Sequence, residues 1–199
     1  MSSQNYLKEV LHYDCVVDSL NKIEFLGDDS LHFWHFLNKL NLAILNPTSQ
    51  MNMLHIGGSH VQADVISNRI RRNLSAIDNK PYSARGIIFP YSVAKTNNPT
   101  NYKVTYKGNW SVSRNVSDYY ADTLGVTGIA VTTNDVDAEI SVDLNPADSI
   151  AYWHFNRLRV LGYASSHAVV PMLRLDDTLY LEPEFDEMSS SYLFTMDDS

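Results

Sequence analysis

Cysteine is almost missing from this chain of 199 residues: Cys15 stands alone, so no disulfide can form within it. That excludes a small stapled scaffold. It fits a reducing compartment, and equally an extracytoplasmic protein large enough to fold without staples. Positive charge is also scarce, with 15 Lys and Arg against 23 Asp and Glu and a formal net charge of −8. A surface of that sign is a poor match to nucleic acid or to an anionic membrane. No apolar run reaches the roughly 18 residues of a membrane span. The start, Met1-Ser2-Ser3-Gln4-Asn5, lacks the basic-then-apolar character of a signal peptide. No His, Cys, Asp or Glu spacing suggests a metal site. Neither the dinucleotide-binding nor the P-loop glycine spacing occurs, so no cofactor is expected.

What is present is an ordinary globular composition, 44% hydrophobic and 19% charged, in a chain long enough for one large domain or two small ones. Residues 1–30 read as an irregular or partly helical lead-in. Gly27-Asp28-Asp29-Ser30 offers a turn and an N-cap, after which Phe33, Phe36, Leu37, Leu40 and Ile44 recur at helical spacing until Asn46-Pro47. Gln50 to Ile56 reads as a short buried strand. A second helix starts near Ser59 or His60, with Ile66, Ile70 and Leu74 as its apolar stripe and Arg69, Arg71 and Arg72 mostly on its polar side. Helix, strand, glycine turn and helix are the opening of an α/β unit with a parallel sheet.

The character changes after about residue 80. Residues 81–101 look like an extended loop, and from Tyr102 the period becomes two. Tyr102, Val104 and Tyr106 alternate with lysine and threonine, Gly108-Asn109 is a plausible hairpin turn, and Trp110 and Val112 continue the pattern. Ala138, Ile140, Val142 and Leu144 form the cleanest strand, closed by Asn145-Pro146-Ala147-Asp148. Leu173 and Leu175, Asp176-Asp177, then Leu179 and Leu181 suggest a hairpin, and Tyr192 and Phe194 still read as strand. Short strands separated by turn signals point to a β-sandwich. The acidic cluster Glu182, Glu184, Asp186 and Glu187 is expected to be a solvated face.

Chemistry concentrates at Met53-Leu54-His55-Ile56-Gly57-Gly58-Ser59-His60-Val61-Gln62-Ala63-Asp64. A strand turning tightly into a helix leaves a serine hydroxyl beside unpaired N–H groups, which suits a nucleophile with its own oxyanion donors. Glycine in a βα turn and serine at an N-cap also have a purely structural explanation. Residues 56–64 resemble the first block of the SGNH (GDSL-like) hydrolases. They are most similar to the branch with Gly-Asp-Ser-His followed by an Ala-Asp-type continuation, which includes polysaccharide and peptidoglycan O-acetyl esterases. Arg85-Gly86-Ile87-Ile88-Phe89-Pro90-Tyr91 and Ala94-Lys95-Thr96-Asn97 are similar to a stretch downstream of that block in SGNH-like proteins of gut Bacteroidetes, where a β-rich domain is inserted into the hydrolase fold.

The resemblance implies an α/β fold, the start of an SGNH or flavodoxin-like parallel sheet over residues 1–101, and an all-β sandwich-like insertion over 102–199 that is expected to be incomplete. It implies Ser59 as nucleophile, with Gly57, Gly58 and Ser59 shaping the turn and the oxyanion donor. His60, Asp64 and Arg85 would be supporting residues; by its residue type Arg85 is open to pairing with Asp64, to binding a substrate anion and equally to an ordinary surface role. An O-acetylated polysaccharide is the implied partner, in a periplasmic or extracellular setting. Two departures stand out: Gly58 replaces the usual aspartate, and no Asp-x-x-His pair follows the serine in the chain to activate it. His55 reads as a core or sheet-face residue, His32 and His35 as surface or packing residues, and His154 and His167 fall in the β region. Asn134-Asp135 only superficially resembles the asparagine block. Tyr102, Tyr106, Trp110, Tyr119, Tyr120 and Trp153 raise the alternative of a non-catalytic glycan- or protein-binding module, although aromatics at alternating strand positions are usually core.

Overall fold

The computed structural model describes residues 13–20, 22–27, 30–46, 48–77, 83–117, 123–144, 155–165, 169–175 and 178–196. Asp28, Asp29, Pro47, Tyr119, Tyr120, the 145–148 turn, Trp153, His154, His167, Asp176 and Asp177 therefore lie outside the described residues. The chain divides into two compact units, residues 1–51 and 52–199.

The first unit holds one long helix, α1 (Leu31–Leu45). Phe33, Leu37, Leu40 and Ile44 share its half-buried face, as their spacing requires. Phe36 is exposed, but its ring stacks on Phe33, which also meets Phe25 at 5.3 Å. Ser30 stands before the helix without a side-chain capping bond, because its backbone is already helical and its carbonyl accepts from Trp34 N–H at 3.0 Å. Asn46 ends α1 in the extended backbone favoured before proline, and its side-chain oxygen accepts from Thr48 N–H and hydroxyl.

In the second unit the apolar run before the glycines has no strand partner among the described residues. Leu54 is 78% and Ile56 82% exposed, and every ladder formed is antiparallel. The expected buried strand is thus an unpaired segment here, and the structure is β-rich through small antiparallel sheets. The expected second helix is two helices, α2 (Ser59–Gln62) and α3 (Val65–Ser75). Asp64 separates them in the left-handed region, φ 56 and ψ 22, which Asp tolerates better than most residues. The stripe expected to face inward is mostly outward: Ile66 and Ile70 are exposed, while Arg71 is sheltered. Arg71 has a buried charge to meet, and the described residues offer the isoleucines no apolar layer.

The β-rich part contains nine strands among the described residues. Strand β1 (Lys103–Lys107) pairs with β4 (Glu139–Asp143), and β2 (Ser111–Arg114) with β3 (Ile129–Thr132). Gly108-Asn109 is therefore not a hairpin turn but a corner at which the chain leaves one sheet for another. Gly108 is required there: its φ is +86, and a Cβ would come 2.8 Å from Ala138 Cα. Val93, Tyr102 and Val104 form the buried core, flanked by Ile88, Tyr91, Trp110, Val131, Ile140 and Leu144. Loop 83–101 is thus a structural layer, tied down by Tyr102 O–H donating to Phe89 O at 2.7 Å and by Arg114 donating to Ala94 O.

Strand β5 (Arg157–Leu161) pairs with β9 (Ser191–Thr195), which also pairs with β8 (Glu184–Asp186). The expected hairpin forms between β6 (Leu173–Arg174) and β7 (Tyr180–Leu181). Phe194 and Tyr192 bury their rings from β9. The acidic cluster is not merely solvated. Asp186 pairs with Arg159 at 2.9 Å and accepts from Met188 N–H and from Ser189, so it organises the turn between β8 and β9.

Candidate functional site

The serine turn forms where the glycines place it. Gly58 occupies the N-cap of α2, and its carbonyl accepts from Val61 and Gln62 N–H at 3.0 and 3.2 Å. Ser59 is the first helical residue and is exposed. Its N–H lies in the first turn, where helix geometry supplies no backbone acceptor. The two glycines are not equivalent. A Cβ at Gly57 would meet Val61 Cγ2 at 2.6 Å, whereas one at Gly58 meets nothing within 4 Å. The aspartate usual at position 58 in the resembled motif would therefore fit in this backbone.

Asp64 is the best-anchored residue of the motif. It is 7% exposed, and its Oδ2 accepts hydrogen bonds from Arg71 and Asn101 and is ion-paired with Arg85, three groups from three parts of the chain. Arg71 Nη2 comes from α3, Arg85 Nη2 from loop 83–101 at 2.8 Å, and Asn101 Nδ2 from the end of that loop at 2.7 Å. The Arg71 and Arg85 side chains are 12% and 8% exposed. Both guanidinium groups meet this one carboxylate. The Tyr102 ring lies 4.8 Å from Arg85 Cζ and offers that cation its face. Burial pulls the Arg85 guanidinium below its ordinary value; Asp64 opposes that shift and Arg71 adds to it. Arg85 Nε and Nη2 and the amide oxygens of Asn98 and Asn101 are buried without a hydrogen-bond partner, so charge more than complete bonding holds the cluster.

A second clasp runs in parallel. Gln62 Nε2 donates to Thr96 Oγ1 at 3.3 Å and to Asn97 O at 3.0 Å. The two stretches singled out from the sequence, 56–64 and 85–97, are thus joined twice. Of the roles open to Arg85, the ion pair with Asp64 forms, and its side chain is not at the surface. Asp64 itself is not inside a continuous helix but at the break between two. Arg71 was missed, yet it lies seven residues after Asp64, two helical turns on and therefore on the same side. Asn101 carries no such signal, being 37 residues away.

The histidines are spread out. His60 is exposed beside Ser59. His55 is exposed rather than core, and its Nδ1 lies 2.9 Å from Ser67 Oγ. His32 and His35 lie on α1 in the first unit. Asn134-Asp135 belongs to the loop between β3 and β4, where Asp135 Oδ2 accepts from Asn109 N–H at 3.0 Å; its contacts are with that corner and not with the serine turn.

At this corner lies an open groove of about 550 Å³, lined by residues 109–111 and 132–135. Of the aromatics considered for glycan contact, Tyr102 is core, Tyr106 is 43% exposed, and Trp110 is half-buried in the groove wall. Among the described residues no group of three or more His, Cys, Asp and Glu side chains could hold a metal ion. Among them, too, no helix is long and apolar enough to cross a membrane. Compared with family models, curated proteins and solved structures, the chain has no match.

Proposed function

We propose that this chain carries the nucleophile block of an SGNH-type serine ester hydrolase that deacetylates polysaccharide outside the cytoplasm. The observation that carries the reading is the double clasp behind Ser59. Asp64 and Gln62, five and three residues beyond it, are held by Arg85, Asn101, Thr96 and Asn97, while Ser59 stays exposed at a helix start. A nucleophile needs such a contrast, because an oriented backbone presents a hydroxyl that substrate can reach.

In this reading Ser59 Oγ attacks the ester carbonyl, the sugar alkoxide departs, and water hydrolyses the acyl-serine. Ser59 N–H donates to the developing oxyanion. The finer fold goes with it. The stretch from Gln50 to Ile56 would be a strand of a parallel sheet, covered on both faces, which accounts for the near-continuous apolar character of Met53, Leu54 and Ile56. The β-rich part would be an inserted sandwich. The reading requires further parallel strands and a general base, and neither neighbouring histidine supplies the base: His55 is engaged with Ser67, and His60 adjoins Ser59 at a helix start, where adjacent side chains diverge.

Hydrolysis of p-nitrophenyl acetate near pH 7.5 tests the proposal, comparing the 199-residue chain with Ser59→Ala and Ser67→Ala. Turnover above background that disappears in Ser59→Ala and survives in Ser67→Ala is the expected result. Turnover lost only in Ser67→Ala would transfer the chemistry to the His55–Ser67 pair, and background rates in all three would reject catalysis by this chain.

A further inference from the structure

We infer that the groove at the 108–111 and 132–135 corners is a binding site for a neutral glycan chain. The inference does not depend on the esterase reading, because the groove contacts no residue of the serine turn. Both corners carry the chain between the β1–β4 and β2–β3 sheets, and they meet at one end of the β2–β3 ladder, where Ser111 faces Thr132.

The rim is built before any ligand arrives. Asn109 N–H and Nδ2 donate to Asp135 Oδ2 at 3.0 and 3.4 Å, Thr133 Oγ1 donates to Asn109 O at 2.6 Å, and Asp135 N–H donates to Thr133 Oγ1 at 3.0 Å. Asp137 N–H occupies Asp135 Oδ1 at 3.1 Å, so both oxygens of the one carboxylate in the lining are engaged. Trp110 packs against the core and donates its indole N–H to Lys107 O at 3.0 Å, which fixes the ring and satisfies its polar atom. Left over in the groove are the Asn134 amide and the Ser111 and Thr132 hydroxyls, exposed and bonded to no described residue.

A fixed aromatic surface beside free amide and hydroxyl groups is the chemistry that recognises a pyranose. The ring C–H face packs on the indole, and neighbouring hydroxyls bond to the side chains. The volume lies within the roughly 300–1,000 Å³ usual for ligand sites. Those sites are mostly apolar and enclose their ligand, whereas this groove is open and predominantly polar, which suits a hydroxyl-rich chain that stays partly in water. The engaged carboxylate and the net charge of −8 select against an anionic sugar.

The test is titration of the full chain, with nitrogen-15 in its three tryptophans, by cellohexaose, xylohexaose and mannohexaose, each to about 10 mM. The indole signal of Trp110, identified by its loss in Trp110→Phe, should shift saturably with at least one of them. Asn134→Ala should weaken that binding about fivefold or more, as expected for a lost hydrogen bond, with an unchanged melting temperature. Ser59→Ala should bind like the parent, so failure of the esterase reading leaves this result intact. Absence of a saturable shift with all three sugars overturns the inference. So does a shift that Asn134→Ala and Ser111→Ala both leave unaltered, which would put the sugar elsewhere.

Discussion

Asp64 shows how a single side chain can set the local backbone. Its carboxylate pairs with the Arg71 and Arg85 guanidinium groups, and its left-handed φ is what separates α2 from α3. Asp64→Asn keeps the shape and removes the charge, leaving two buried cations against a neutral amide. Breaking a buried ion pair from one side costs about 3–5 kcal/mol. Urea unfolding of the variant should show a loss of that order, and an unchanged midpoint would mean that the cluster is solvated in solution. The Asp64–Arg85 pairing was legible because both residues sit in recognisable stretches. The role of Asn101 was not, because nothing local ties residue 101 to residue 64.

Elements were legible where a period was uninterrupted. The spacing of Phe33, Leu37, Leu40 and Ile44 anticipates α1, strict alternation anticipates β1 and β4, and Tyr192 and Phe194 mark β9. Strand β5 has no clean alternation, and β8 lies inside an acidic cluster that reads as solvated surface. The corner at Gly108-Asn109 carries the same residues as a tight hairpin, and local sequence does not distinguish pairing with the next strand from leaving the sheet. What distinguishes them is Asp135, which accepts the Asn109 N–H from 26 residues away. Gly108→Ala would combine a φ of +86 with a 2.8 Å approach to Ala138 Cα. A strained φ alone costs about 1–3 kcal/mol. Thermal melting should report at least that loss, together with loss of the groove, whereas Gly86→Ala, where a Cβ meets nothing within 4 Å, serves as the mild control.

Stability of the whole molecule should fall at both ends of the pH scale, for opposite reasons. Burial raises the Tyr102 phenol well above its ordinary value, and burial together with Asp64 raises Tyr91. An unfolded phenol ionises near pH 10, so the contribution of these phenols is flat below about pH 10 and declines above it as the unfolded chain sheds protons that the folded chain retains. Tyr102→Phe should lessen that alkaline decline while costing about 1 kcal/mol at neutral pH for the lost bond to Phe89 O. Asp186 behaves oppositely. Bonds from Ser189 and Arg159 lower its carboxyl below the ordinary value, so its contribution is present above the unfolded pKa and is lost as pH falls through the folded one. Urea midpoints measured from pH 3 to 12 would show a plateau with two shoulders. A midpoint that rises above pH 10 would contradict the burial of Tyr102.

Composition and periodicity settle which residues can form a helix or a strand, because 3.6 and 2 are properties of the backbone and need no partner. They set the serine turn, the stripe of α1 and the alternation of β1 and β4. They do not say which strand lies beside which, because every antiparallel edge offers the same hydrogen-bonding groups. Nor do they say which face of α3 turns inward. There a carboxylate from one stretch and guanidinium groups from two others outweigh the isoleucine stripe, and that meeting exists only once the chain has folded back on itself.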